Sequence, residues 1–133
     1  MQYNSTLFCP PCPAVDIRIE TPVNTGKSTS ILAQIDTGAD FCVIPLRVTH
    51  ELNLQPYRTN KIEEHDGKES IQDVYRIRIT INDFPSFMVD AIYYPFVDED
   101  DYLVLGREAL NIFRMLLDGP AQQFSFMQPE TSV

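Results

Sequence analysis

Short runs in which apolar and polar residues alternate one by one limit most strongly what this chain can fold into. Val15, Ile17 and Ile19 alternate with Asp16, Arg18 and Glu20, and Tyr75, Ile77, Ile79 and Ile81 alternate with Arg76, Arg78 and Thr80. After Pro85 the pattern returns in Phe87, Val89, Ala91 and Tyr93. Successive side chains of a strand point to opposite faces, so this period puts one set in a core and the other in water. Helical patterning is confined to two stretches. Pro45 is suited to the first position of a helix that carries Val48 and Leu52 on one face and ends near Leu54, before Pro56. Arg107 to Phe113 can bury Ala109, Leu110 and Phe113.

The remaining segments extend the β reading. Ile31 to Ile35 and Phe41 to Ile44 are apolar runs on either side of a polar loop, and Tyr57 to Ile81 reads as a long hairpin whose polar turn, Lys61 to Ser70, surrounds Gly67. Tyr102 to Leu105, Met115 to Leu117 and Gln122 to Met127 are further short strands, the last with Phe124 and Phe126 on one face. The expectation is a mainly β domain of seven or eight short strands and two short helices, a barrel or a sandwich. With 133 residues, 44% of them hydrophobic, residues 1–133 make one domain with a real core. Pro10, Pro11 and Pro13 withhold backbone N–H groups, so residues 1–13 read as an extended N-terminal arm, and 122–133 as a C-terminal strand and tail.

Charge narrows the function classes. Ten Lys and Arg against nineteen Asp and Glu leave a formal net charge of -9. Such a surface repels phosphate backbones and anionic headgroups, which predicts no nucleic-acid and no membrane partner. No apolar run approaches the roughly 20 residues that span a bilayer, and Met1 to Ser5 lacks the basic-then-apolar order of a signal peptide, so the expected location is cytoplasmic. Three cysteines, an odd number, are expected as reduced thiols.

The chemistry concentrates in Ala33-Gln34-Ile35-Asp36-Thr37-Gly38-Ala39-Asp40. A carboxylate at the end of an apolar strand is costly unless hydroxyls or N–H groups meet it. Thr37 can supply a hydroxyl, and Gly38 lets the backbone come close enough to offer its N–H. An Asx-type turn capping a hairpin explains the same three residues equally well when they are taken alone. A second segment separates the two readings. Leu103-Val104-Leu105-Gly106-Arg107-Glu108 is an apolar strand that ends in glycine and enters a helix.

Taken together, an apolar strand, Asp-Thr-Gly-Ala, a hairpin and then hydrophobic-hydrophobic-Gly-Arg opening a helix resemble the retropepsin-like aspartic proteases, single-lobed members of clan AA, in their small cellular or bacterial-type form. The resemblance covers about Ile31 to Asp118. It implies a closed, barrel-like retropepsin fold, the single lobe of an acid protease, with one or two short helices and a flap hairpin. It implies Asp36 as the catalytic carboxylate, with Thr37 and Gly38 supporting its loop. Asp40 and Arg107 match a structural pair, expected to be buried and to lock the two segments together. Ala39 and Asp40, with Asp66, Gly67 and Lys68 of a flap tip running from Glu64 to Glu69, are the expected substrate-binding residues. That tip has one glycine among charges, where retroviral relatives carry several glycines and apolar residues.

Peptide hydrolysis of this type needs two carboxylates sharing one proton, and the chain has one Asp-Thr-Gly. The resemblance therefore implies a homodimer with one Asp36 from each subunit, acting on a peptide or unfolded protein without metal or cofactor. Ala39 offers no hydroxyl where many two-lobed relatives carry Ser or Thr, which implies activity at mildly acidic pH, on the order of 4 to 6. Leu7, Phe8, Phe124 and Phe126 are expected to complete the dimer through the chain ends. A non-catalytic peptide-binding or dimerisation module on the same fold is the alternative, supported by the charged flap.

Other signals carry less. Thr25-Gly26-Lys27-Ser28 imitates the end of a P-loop, but Thr21 stands where its first glycine belongs. Cys9-Pro10-Pro11-Cys12 has CxxC spacing without the second pair a zinc site needs, which leaves a redox or metal protein as a third reading. His50 and His65 make no metal spacing, Asn4-Ser5-Thr6 is a sequon without a secretory route, and Asp98 to Asp101 read as a solvated acidic turn lacking the spaced ligands of a calcium loop.

Overall fold

A computed structural model describes residues 1–23, 26–63 and 66–127. Nine strands account for most of it: β1 (Ala14–Glu20), β2 (Ser28–Ile35), β3 (Cys42–Ile44), β4 (Arg58–Glu63), β5 (Glu69–Thr80), β6 (Phe87–Tyr93), β7 (Tyr102–Leu105), β8 (Arg114–Asp118) and β9 (Gln123–Met127). Two helices are short, α1 (Leu46–Glu51) and α2 (Arg107–Leu110), and Pro95–Val97 forms one 3-10 turn. The strand count among described residues is thus one or two above the expectation. The second helix ends at Leu110 rather than Phe113, because Ile112 and Phe113 N–H groups bond back only three residues, to Ala109 and Leu110, and the chain turns into β8.

The main sheet runs β1-β2-β7-β3-β6-β5-β4, and β1 also pairs with β5. That extra pairing, Arg18 opposite Thr80 and Ile19 opposite Ile79, closes six strands into a barrel and leaves β4 outside as one arm of a hairpin with β5. Closure removes the open edges that a sheet of this length would otherwise present. The alternating residues behave as their period requires. Val15, Ile17, Ile19, Ile77, Ile79, Val89 and Ala91 enter one core cluster with Ala33, Leu103 and Leu105, while Asp16 and Arg18 face solvent.

Strands β3 and β7 are buried on both faces, which is why Cys42 to Ile44 and Tyr102 to Leu105 are continuous rather than alternating apolar runs. Leu103 and Leu105 fill the barrel, and Val104 turns to a second cluster with Val43, Val74, Ile92 and Val97. Strand β6 also departs from the simple pattern. Beside Val89 and Ala91, both Asp90 and Ile92 on its opposite face are buried.

Strands β8 and β9 form a separate two-stranded sheet. The expectation that Phe124 and Phe126 serve the dimer is corrected here. Both rings are buried within the subunit, packed with Tyr3 and Phe113. The start of β9 is bridged by the N-terminus, since Tyr3 and Phe124 N–H groups donate to Gln122 and Met1 carbonyls at 2.8 Å each. The N-terminal arm folds back as well, through paired bonds between Asn4 and Cys12 and an edge-on contact of Phe8 with Tyr102. Asp98 to Asp101 are more than a solvated turn. Asp98 accepts from the Leu46 N–H and the Tyr93 hydroxyl, and Asp101 receives both arms of the Arg47 guanidinium at 2.8 and 3.0 Å.

Candidate active site

The connection from β2 to β3 passes around the end of β7. Strand β7 lies between the two, parallel to β2 with Ile35 opposite Leu105, and antiparallel to β3 with Val43 opposite Val104. The loop from Asp36 to Phe41 therefore forms a collar. Its two ends are bonded to the strand it encircles: the Asp36 N–H donates to the Leu105 carbonyl at 3.1 Å, and the Arg107 N–H donates to the Ala39 carbonyl at 2.8 Å.

Gly106 sits inside this collar, and its identity follows from space rather than from backbone angle. A Cβ there would stand 2.4 Å from the Phe41 carbonyl oxygen and 2.9 Å from that of Ala39. Glycine lets two backbones approach to this distance. Asp36 is half-buried at the start of the collar, and its Oδ1 accepts the Gly38 N–H at 2.9 Å. The Thr37 hydroxyl, expected to help meet that carboxylate, is exposed and bonds to no described residue. The neighbouring N–H alone does this work within one chain.

Asp40 and Arg107 do form an ion pair across the collar. Its expected burial is corrected: the side chains are 70% and 54% exposed. An ion pair so open to solvent holds a single chain together by only about 0 to 1 kcal/mol.

Beside the collar opens a cleft of about 990 Å³. Phe41, Val43 and Ile92 line it together with Tyr94 and Phe96, and the flap strand β4 adds Asn60, Lys61, Ile62 and Glu63. Ile62 packs onto the second core cluster, which fastens the flap over the cleft. Of the expected substrate-binding residues, Ala39, Asp40 and Asp66 line the cleft, whereas Gly67 and Lys68 do not. They complete the tip: Gly67 has φ +79, and the Lys68 N–H donates to Asp66 Oδ1 at 3.0 Å. Glu64 and His65 of the expected tip lie outside the described residues, as do Thr25 of the P-loop-like stretch and the tail 128–133.

One cluster escaped the sequence reading. Asp90 on β6 receives the Tyr57 hydroxyl at 2.5 Å, the Arg58 guanidinium at 2.8 Å and that of Arg76 at 3.2 Å. Both guanidiniums also lie against the Tyr57 ring. These residues come from the root of the flap, so the network ties β4 and β5 to the barrel. Burial pushes the Asp90 carboxyl up, but the Tyr57, Arg58 and Arg76 hydrogen bonds outweigh it and hold the group below its ordinary value. Nearby Glu108 is shifted up, by burial first and by the Asp90 charge second. The signal available in sequence was a carboxylate in the middle of an apolar strand; register then places it opposite Arg76.

The cysteines lie elsewhere. Cys9 is exposed, Cys12 is half-buried with its sulfur near the Gln34 amide, and burial pushes the Cys42 thiol up to about 12. Among the described residues no group of three or more His, Cys, Asp or Glu side chains is arranged to hold a metal. No described helix is long and apolar enough to cross a membrane.

No family model and no curated protein matches the sequence. Among solved structures, the chain is similar to the foamy viral protease-reverse transcriptase bound to an RNA/DNA hybrid, with a TM-score of 0.52 and 17% identity over 91% of this chain. It spans only 13% of that much longer protein. Weaker likenesses are to the retroviral protease-like domain of Ddi1 from Leishmania major (TM-score 0.49, 14% identity, 84% of this chain and 86% of that one) and to a retropepsin-like aspartic protease from Rickettsia conorii (0.47, 17%, 80% and 86%). A six-stranded barrel, a flap hairpin and a collar closed around Gly106 give this chain the retropepsin-like, single-lobed fold.

Proposed function

We propose that the chain is one subunit of an aspartic endopeptidase, active as a homodimer in which the two copies of Asp36 face each other and share one proton. One carboxylate takes a proton from water as the water attacks the peptide carbonyl, and the other protonates the carbonyl oxygen. The observation that carries this reading is Asp36 itself: a half-buried carboxylate at the end of a core strand, on a collar beside a large cleft, bonded by a single backbone N–H. Thr37 supports it, because an exposed hydroxyl next to Asp36 is free to meet a second copy of the loop. Leu7, Leu116, Leu117 and Met127, near the chain ends, are among the exposed apolar groups available for the contact between subunits. Three free thiols suit a cytoplasmic setting, and a net charge of -9 disfavours nucleic acid and anionic membranes as partners.

The direct experiment is cleavage of an unfolded protein by the wild type and by Asp36→Asn. The variant should fold normally and lose activity, because an amide cannot exchange the proton that both half-reactions require. A folded Asp36→Asn protein with comparable activity would refute the assignment. One observation favours a second reading, a peptide-binding module without catalysis: Glu63 and Glu69 stand directly opposite each other near the flap tip, a like-charge pair that weakens a hairpin meant to close tightly. Peptide binding by a wild type that cleaves nothing would establish that reading.

A further inference from the structure

We propose that the cleft under the flap selects peptide segments in which a bulky apolar residue stands next to Lys or Arg. This rests on the peptidase reading above and adds the class of substrate to it.

The apolar half of the argument is the cleft floor. Phe41, Val43, Ile62 and Ile92 bring core side chains to its surface, and Phe96 remains 57% exposed beside Tyr94, with ring centroids 6.2 Å apart. Aromatic surface of this kind gains by removal from water, and a large aliphatic or aromatic side chain covers it best.

The charged half is the rim. Among the described residues, Asp40, Glu63 and Asp66 line the cleft against a single cation, Lys61. That ammonium is already engaged by Glu69 at 2.7 Å. Asp40 is engaged by Arg107. Glu63 forms no ion pair with any described residue, and Asp66, whose Oδ1 accepts the Lys68 N–H at 3.0 Å, has the Lys68 ammonium as its ion-pair partner at 3.9 Å. Both flap carboxylates are exposed and keep open acceptor positions for whatever enters, on a chain whose net charge is negative. A cationic side chain completes them, and an anionic one is repelled.

The test is the cleavage of matched peptides, identical except for Lys, Gln or Glu beside a Phe-Leu pair, at about pH 6. The expected order in kcat/KM is Lys, Gln, Glu, with roughly tenfold between the extremes. Raising the salt from about 50 to 500 mM should compress that ratio, because the carboxylates are exposed. Glu63→Lys with Asp66→Lys should reverse the order. Equal rates on all three peptides, or a faster Glu peptide with the wild type, would overturn the proposal while leaving the peptidase reading intact. If no peptide is cleaved, the peptidase reading fails instead. The same peptides, fluorescently labelled, then report Kd on the folded protein. Tighter binding of the Lys peptide that reverses in the double variant supports the selectivity, and equal binding or none overturns it.

Discussion

At the scale of single residues, the network around Asp90 makes the sharpest prediction. Its carboxylate is buried and accepts hydrogen bonds from one tyrosine and two arginines, so Asp90→Ala should lower stability at pH 7 by about 1.5–3 kcal/mol, the range for hydrogen bonds to a charged group. The pH dependence has a definite sign. A carboxyl whose folded pKa is depressed contributes stability above its unfolded value of 3.8, and loses that contribution as pH falls through the folded value. The gap between wild type and Asp90→Ala in denaturant midpoints should therefore be constant at neutral pH and shrink below about pH 4. A gap that persists unchanged into acid would mean that packing, not charge, makes the difference. The loop that carries Asp36 and the strand end at Gly106 were legible in sequence as structure, because apolar runs flank the loop and a glycine ends the strand. Asp90 was not, because its partners Tyr57, Arg58 and Arg76 are far away in the chain and meet it only through strand register. The exposure of Asp40 and Arg107 was illegible for a related reason: the pairing follows from motif order, but solvent access depends on what else covers the collar.

At the scale of elements, the collar and the terminal sheet bear different loads. Gly106→Ala drives a methyl group into the backbone of Phe41 and Ala39, which are rigid parts of the collar rather than side chains that can move away. Overpacking of this kind costs about 1–3 kcal/mol or more, and peptidase activity should fall further than stability does, because the loop that moves carries Asp36. A variant with wild-type midpoint and rate would show the collar to be loose. In the terminal sheet, Phe124 is 3% exposed and packs with Tyr3 and Phe126, so Phe124→Ala should destabilise the subunit by about 3–5 kcal/mol. Its unfolding midpoint is the measurement. A variant that keeps its stability and loses only self-association would restore β9 to the dimer contact. Strand positions were largely readable from period-two alternation, with β1 recovered at its observed bounds, Ala14–Glu20. The barrel closure between β1 and β5 was not readable, since no local pattern encodes a pairing between strands so far apart.

At the scale of the whole molecule, the proposed peptidase needs two copies of the chain. Among the described residues one N–H bonds the Asp36 carboxylate and none bonds the Thr37 hydroxyl, and in the proposed mechanism the second carboxylate is the Asp36 of a second copy. If the proposed dimer forms, the negative charge of each subunit opposes association at a distance, and the dimer is expected to strengthen with added salt. The measurement that tests this most directly is activity per chain at fixed wild-type concentration, titrated with Asp36→Asn protein and repeated through dilution. Excess Asp36→Asn should inhibit by forming heterodimers with one carboxylate, and specific activity should fall below the dimer dissociation constant. A rate per chain that stays constant through dilution into demonstrated monomer, with no inhibition by the variant, would contradict the proposed dimer.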